Sequence, residues 1–405
     1  MVYNVAIVGG GFSGLCAAVM LSKLKIKDIV MFDANKRIGK KILATGNGQG
    51  NITNTDMTVS HYHGDVDFAS EVLNRYGKAE LLRFFDELGL MTGEKDGKIY
   101  PADFCASAVL DVLRFALPEN IDIKTETRIV DIEKRGSVFA VKSSSDDEFY
   151  AKKVILAFGG SSGDGFGTDG KSYALAEKIG HKTTALSPSL VQLKCEREKI
   201  RGLKGIKQCV KTTLFDGDKT VKSFIGDLLF TDYGISGNSV FSVSAYLKGV
   251  KKPTVNIEFL PEKTFDFLRK KLAEKAANLK NGANTYERLL ISVLPLRLAK
   301  NVVEQCGMSL TDSVGERKID RVAYAIKNFR LKIEGTAGFA ASQVTSGGIE
   351  CSGINSSDMQ SKLCGGVYII GEALNVDGDC GGYNLQWAFS SAAACSYAVA
   401  QALKR

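Results

Sequence analysis

Near the start of this 405-residue chain, Gly9-x-Gly11-x-x-Gly14 stands directly after an apolar run, Tyr3-Asn-Val-Ala-Ile-Val-Gly9, and opens a stretch from Ser13 to Lys25 with apolar residues at helical spacing. A second apolar run, Ile29-Val-Met-Phe32, follows, and Asp33 ends it 22 residues after Gly11. Strand, glycine turn, helix and strand within about 30 residues make a right-handed crossover between parallel strands. The fold class is therefore α/β at its start. Gly9 permits a tight turn, Gly11 lets the backbone approach a pyrophosphate, and Gly14 lets helix pack on strand, while the helix N-terminus supplies positive potential. Asp33 is placed to accept hydrogen bonds from adenosine ribose hydroxyls. The motif by itself leaves NAD and FAD both open.

The continuation favours FAD. From Asp33 to Asn54 the chain is a basic, glycine-rich loop with no bulky apolar residue between Leu43 and Ile52. Such a segment packs poorly but suits wrapping a long cofactor, and Lys36, Arg37, Lys40 and Lys41 can meet phosphates. A nicotinamide domain normally enters another crossover helix here.

Short β-rich runs follow at Ile129 to Glu133, Val138 to Lys142 and Val154 to Ala157, and from Pro188 to Pro261 the texture becomes short β-branched strands with turn residues. Helices are expected from Lys263 to Lys280, Tyr286 to Cys306 and Glu316 to Asn328, before a strand at Val367 to Ile370 and a small-residue helix from Asn384 to Leu403. The economical division is a discontinuous Rossmann-like domain, 1–187 and 347–405, interrupted by a β-barrel-like module, 188–262 with completion by 329–346, and a small helical module, 263–328.

Composition narrows the setting. With 44% apolar and 24% charged residues the chain can bury a large core. No run of about 18 apolar residues occurs, so no membrane span is expected, and no signal peptide is read at the N-terminus. Nine cysteines without a CxxC pair fit a reduced compartment, and the cytoplasm is the expected location. The net charge is 53 − 45 = +8, with seven basic residues between Lys194 and Lys211. Without aromatic interleaving this stretch reads as the solvated face of a hairpin, which disfavours a nucleic-acid partner.

Further motifs carry a resemblance. The loop through Asn54, Ala157-Phe-Gly-Gly-Ser161 with Gly163 to Gly170, Phe230-Thr-Asp-Tyr-Gly-Ile-Ser-Gly237, Val344-Thr-Ser-Gly-Gly-Ile349, Gly371-Glu-Ala-Leu-Asn-Val-Asp377 and Gly381-Gly-Tyr-Asn-Leu-Gln386 recur in the same order in the BaiN and aminoacetone-oxidase type of FAD-binding flavoproteins, which this chain resembles over nearly its whole length. The resemblance implies non-covalent FAD. It places Gly9, Gly11, Ser13 and Gly14 at the pyrophosphate, Asp33 at the ribose, and Lys41, Thr45, Gly46 and Gly48 along the flavin. It sets Val130 against adenine through its backbone, Gly159 and Gly160 in a second glycine turn, Gly371, Glu372 and Asp377 near the ribityl chain, and Gly382, Tyr383 and Asn384 beside the isoalloxazine. Many relatives carry Arg-Cys-Asn where this chain has Gln49-Gly50-Asn51. Independently, Gly381-Gly382 leave an unobstructed helix end, which stabilises the anion that forms over N1 and C2=O of a reduced flavin.

No residue declares itself as the catalytic acid or base; Tyr233 and Asn384 are the weak candidates. His61-x-His63 lacks a supporting ligand spacing, so no metal is expected, and His181 reads as a helix cap or surface residue. The expected activity is a flavin oxidoreductase that exchanges a hydride with a small organic substrate bound between the FAD domain and the insert. The leaning is to reduction of an activated C=C bond with NAD(P)H as transient donor. Alternatives are an amine or amino-ketone oxidase using oxygen, and a flavin-containing module that binds RNA or protein.

Overall fold

The computed structural model describes residues 1–279 and 284–404, which form two compact units: 1–188 with 342–405, and 189–341. The first unit is built on a seven-stranded sheet. Its order is Asp122–Lys124, Ile29–Phe32, Val2–Val8, Glu148–Leu156, Val138–Ser143 and Ile129–Arg135, and Val367–Ile369 also pairs with Glu148–Leu156. Val2–Val8 runs parallel to both neighbours, with Val5 opposite Ile29 on one side and Lys153 on the other. Val5, Ala6 and Ile7 are fully buried, as a strand covered on both faces requires. The meander 129–156 is antiparallel.

One helix packs against this sheet and a second packs on that helix. Phe12–Lys23 follows the glycine turn and Tyr383–Lys404 ends the described chain. Alanine and serine line their contact: Ala17, Ala18, Ala392, Ala393 and Ser396 are buried, and the Ser396 hydroxyl donates to the Ala17 carbonyl at 3.4 Å. Small side chains let the axes approach, so residues more than 370 positions apart in sequence share one core.

The second unit contains a closed six-stranded barrel: Leu193–Cys195, Gly234–Ser236, Lys219–Phe230, Lys207–Asp216, Pro253–Phe259 and Phe329–Thr336, the last returning to the first. Alternation is plain in the last strand, where Phe329, Leu331 and Ile333 face the core and Arg330, Lys332 and Glu334 are exposed. Helices Phe265–Ala277, Tyr286–Leu290, Leu296–Gln305 and Glu316–Lys327 accompany it. Two expectations change here. The single helix from Tyr286 to Cys306 is two helices, because Pro295 cannot donate within a helix and stands instead at the start of the second. The helix expected to reach Lys280 is seen through Ala277, and Lys280 lies outside the described residues.

Within the basic run, Lys199 pairs with Glu196 at 3.0 Å and Lys207 with Asp227 at 2.7 Å, and Lys204 meets Asp232. These exposed pairs each contribute at most about 1 kcal/mol, but they neutralise much of the excess charge locally.

Candidate cofactor site

The first glycine turn is closed by its own backbone. Gly9 has φ +112°, and a Cβ there would stand 2.3 Å from the Ala157 carbonyl oxygen; at Gly14 it would stand 1.9 Å from that of Gly9. At Gly11, by contrast, none of the described residues comes within 4 Å of the added carbon. The turn is tight inward and open outward, and the helix after it begins without a side-chain cap among the described residues. Its terminal N–H groups and the positive end of its dipole thus remain for an anion, as a pyrophosphate requires.

Asp33 lies immediately beyond the second strand, 9% exposed, and its carboxylate accepts from Gly10 N at 3.0 Å, Asn35 N at 2.7 Å and Asn35 Nδ2 at 3.0 Å. Burial pushes its carboxyl above the usual range, while the donors from Asn35 and Gly10 and the charge of Arg128 pull the other way. Asn35 Nδ2 also donates to the Phe166 carbonyl at 2.7 Å, and Lys40 Nζ to that of Gly165 at 2.7 Å, so the 163–170 loop is tied to the acid's own loop. Val130 sits at a bulge in its strand, where its carbonyl accepts from Lys178 Nζ at 3.3 Å.

The loop expected along the flavin forms short 3₁₀ turns over Lys40–Gly48, broken at Thr45, Gly46 and Asn47. Its Lys41 meets Glu372 Oε2 at 2.8 Å, and Glu372 Oε1 accepts from Thr345 N at 2.9 Å. Thr345 Oγ1 in turn accepts from Ser161 N at 2.7 Å, and a Cβ at Gly160 would collide with that hydroxyl at 2.3 Å. One polar chain therefore joins Lys41, Glu372, Thr345 and the second glycine turn. Gly50, with φ +73°, would bring a Cβ to 2.9 Å from Ala106 Cα, so the loop has no room for the side chain that relatives carry at this place, and Gln49 is exposed.

At the C-terminal end, Gly371 would place a Cβ 2.7 Å from Ser13 Oγ, while Trp387 Nε1 donates to its carbonyl at 3.1 Å and Ser391 Oγ accepts from its N–H at 3.0 Å. The returning segment thus touches the first helix's opening turn. Gly382, at φ +95°, would press a Cβ to 2.5 Å from the Thr53 carbonyl oxygen, and Asn54 Nδ2 donates to the Gly381 carbonyl at 3.0 Å. Thr53 Oγ1 donates to Gln386 Oε1 at 2.7 Å. Asn384, a candidate for chemistry, instead clamps the turn: its Oδ1 accepts from Gly378 N at 2.9 Å and its Nδ2 donates to the Gly378 carbonyl at 2.8 Å. Asp377 is buried on the adjoining strand, Val376–Gly378. Tyr233, the other candidate, belongs to the second unit, where its carbonyl accepts from Cys195 N at 3.1 Å.

Sequence reading missed the partners of the histidines. Strand Tyr62–Gly64 pairs antiparallel with Val376–Gly378, setting His63 opposite Asp377. Asp379, its side chain 5% exposed, lies 3.0 Å from His61 Nδ1 through Oδ2 and 3.0 Å from His63 Nε2 through Oδ1. His61 Nε2 is 3.2 Å from Asp56, and its ring stacks on Tyr383 at 4.5 Å and 19°. Burial and the nearby Asp56, Asp379 and Cys380 hold the Tyr383 phenol well above its ordinary range, so it stays protonated. His181 corrects its expectation as a cap or surface residue: it is buried, with Nε2 2.7 Å from Ser361 Oγ, and burial lowers its pKa. Among the described residues no group of three or more His, Cys, Asp or Glu is arranged to hold a metal ion.

The open Gly11, the buried acid beside it and the glycine turns closed against 53–54 and 157–160 fit an extended dinucleotide. Comparison with known proteins agrees. Residues 3–398 match the family described as HI0933-like protein Rossmann domain. The chain is 34% identical over 408 residues to 3-dehydro-bile acid delta(4,6)-reductase of Clostridium scindens, covering 98% of this chain and 99% of that protein. It is 32% identical over 411 residues to ribosomal RNA dihydrouridine synthase of Haemophilus influenzae, covering 98% of each. Among solved structures, the open conformation of a flavocytochrome c3 fumarate reductase superposes with a TM-score of 0.52 at 16% identity, covering 100% of this chain and 79% of that one. The 3-ketosteroid delta1-dehydrogenase of Sterolibacterium denitrificans does so with 0.52 at 12%, covering 99% and 100%. These two likenesses bear on the fold alone.

Proposed function

The chain belongs to the HI0933-like Rossmann family of FAD-dependent oxidoreductases, and from that premise we propose that it saturates a C=C bond conjugated to a carbonyl, with electrons drawn from a reduced nicotinamide. One observation carries the reading: the glycine turn at 381–382, closed inward by Thr53 and Asn54, opens the final helix, so positive potential is fixed where a flavin ring would gain negative charge. The two relatives add a chemical reason. A delta(4,6)-reductase of a 3-oxo compound and a dihydrouridine synthase both add two hydrogens across a double bond conjugated to a carbonyl.

Bound FAD supplies the hydride at N5. The protein's part is to bind, orient and screen. Gly9, Gly11, Ser13 and Gly14 hold the pyrophosphate, Asp33 the ribose and the Val130 backbone the adenine. Lys41, Thr45, Gly46 and Gly48 follow the flavin, with Gly159 and Gly160 closing the second turn. Gly371, Glu372 and Asp377 serve the ribityl chain, and Gly382, Tyr383 and Asn384 the ring's edge. Lys41 acts through its pairing with Glu372, and Asn384 by clamping the turn.

A second reading keeps the chemistry and changes the acceptor to a uracil within ribosomal RNA. The relative from Haemophilus influenzae favours it, and the earlier expectation against a nucleic-acid partner is not carried forward. None of the helices among the described residues is long and apolar enough to cross a membrane. The test is anaerobic. The flavin is reduced with NADPH or NADH and then mixed with a 3-oxo-4,6-diene steroid, with unmodified ribosomal RNA, or with buffer. Rapid reoxidation by the steroid supports the first reading, and reoxidation by RNA with dihydrouridine formed supports the second. Bleaching by amines but by neither nicotinamide sinks both and restores the amine-oxidase alternative.

A further inference from the structure

The positive charge of the chain is unevenly shared between its two units. Residues 189–341 hold 27 Lys and Arg against 16 Asp and Glu, 27 − 16 = +11, whereas 1–188 with 342–405 hold 26 against 29, 26 − 29 = −3. In the run from Lys194 to Lys211, Lys199, Lys204 and Lys207 are already paired with acids. A second cluster forms about the hairpin turn at 216–219, where three separate segments bring together Lys219, Lys222, Lys251, Lys252, Arg330 and Lys332. Asp216 stands opposite Lys219 on one neighbouring strand and opposite Pro253, just after Lys252, on the other. Thr254 stands opposite Lys332, and Asn256 opposite Arg330. The four strands are adjacent in the barrel, so the cluster spans about 14 Å at the usual inter-strand spacing.

All six residues are exposed, and among the described residues none of their side chains is in an ion pair. The neighbouring acids are engaged elsewhere. Asp216 Oδ1 accepts from Lys251 N at 3.2 Å and Lys252 N at 2.8 Å, and Glu196 Oε1 from Lys332 N at 2.7 Å and Lys199 Nζ at 3.0 Å; Asp218 is exposed at the hairpin. Aromatic rings stand among these cations. The Arg330 guanidinium lies 4.6 Å over Phe215, and Lys222 Nζ lies 5.2 Å from the Tyr246 ring and 6.0 Å from that of Phe224. Only the fold brings Phe215 to Arg330. A guanidinium laid over a ring presents its other plane to a base, and cations beside stacking surfaces are how an unpaired RNA strand is held.

We propose that this face of the barrel docks a single-stranded segment of ribosomal RNA, with the lysines on its phosphates and the Arg330–Phe215 pair under a base. The proposal rests on the second reading, in which a uracil of ribosomal RNA is the acceptor, and adds to it the surface that holds the strand.

The test uses the FAD-bound full chain with fluorescein-labelled oligouridine, binding being followed by anisotropy as salt is raised and by competition with unmodified ribosomal RNA. Lys251→Gln with Lys252→Gln is expected to bind about tenfold more weakly at about 0.1 M salt, and to lower the slope of log affinity against log salt by about 1.4, two phosphates at about 0.7 each. Lys204→Gln with Lys207→Gln removes the same charge from paired lysines, and binding within about twofold of the wild type is expected. Equal losses in the two variants mean that net charge alone attracts RNA, and overturn the proposal. Wild-type binding that Lys251→Gln with Lys252→Gln leaves intact also overturns it, and both outcomes leave the ribosomal reading standing. A wild type that binds neither RNA, or binds phosphatidylglycerol vesicles in their place, overturns the dock, while dihydrouridine formation on reoxidation decides that reading separately. If the variant does not fold, Lys219→Gln with Lys222→Gln carries the same measurement with the same outcomes.

Discussion

The turn at Gly9–Gly14 and the turn at Gly378–Tyr383 both set glycines of positive φ before a helix, yet different parts of the chain hold them. The first closes largely on its own crossover, Gly14 against Gly9 and Gly10 N on the Asp33 carboxylate, with Gly9 also against Ala157 just past the neighbouring strand Glu148–Leu156. The second closes on residues more than 300 positions earlier, Thr53, Asn54, His61 and Tyr62, where side-chain hydrogen bonds join a short backbone pairing and the Thr53 carbonyl. A turn made by backbone contact tolerates almost no change in atoms. One made by side chains can be weakened by degrees, and its electrostatics can be altered without altering the fold.

The largest expected effect breaks the first turn. Gly14→Ala places a carbon 1.9 Å from a carbonyl that cannot retreat, because Gly9 already abuts Ala157. A loss of about 4 kcal/mol or more is expected, enough to unfold the first unit or leave it colourless. Denaturant unfolding and the bound-flavin absorbance check it, and a stable yellow variant would break the comparison. Gly382→Ala should cost about 2–3 kcal/mol through the strained φ and the Thr53 carbonyl. Here far-UV circular dichroism should survive while flavin retention falls. Undiminished retention would mean that the second turn does not grip the cofactor. Thr53→Val keeps the shape and removes the donor to Gln386 Oε1, so a cost of about 1–2 kcal/mol is expected from thermal or denaturant unfolding.

The smallest effect sharpens the contrast through pH. Burial raises the Asp33 carboxyl above its ordinary 3.8, so the folded chain binds that proton more tightly than the unfolded one. The resulting stabilisation is complete below 3.8 and is lost as pH rises through the raised value. Asp33→Asn lacks this dependence, so the apo variant should gain on the wild type as pH climbs from 3.8 through the raised value, and no further above it. A difference in unfolding free energy that stays flat with pH would contradict it.

Legibility in the sequence followed the same division. Gly9, Gly11, Gly14 and Asp33 lie within one crossover, where spacing alone fixes geometry, and the helix–strand textures mark the barrel because its strands alternate, as Phe329 to Glu334 do. The partners of the second turn were hidden because no local rule links His61 to Asp379 or Thr53 to Gln386 across more than 300 residues. Thr345 was in view as part of a glycine-rich motif, but its hydroxyl's grip on Ser161 depends on a fold that brings 345 to 161. Pro295, by contrast, was a visible break within the helix expected from Tyr286 to Cys306.

Contact between Gly371 and Ser13, with the last helix lying on the first, carries a consequence for biosynthesis. A ribosome emits the Gly9 turn before the segment that seals it, with the whole barrel-bearing unit between. Half of the nucleotide cradle must therefore wait, unsealed, until the barrel-bearing unit and the last helix have both been made, so FAD capture follows the synthesis of a unit that makes no part of the cradle's first half.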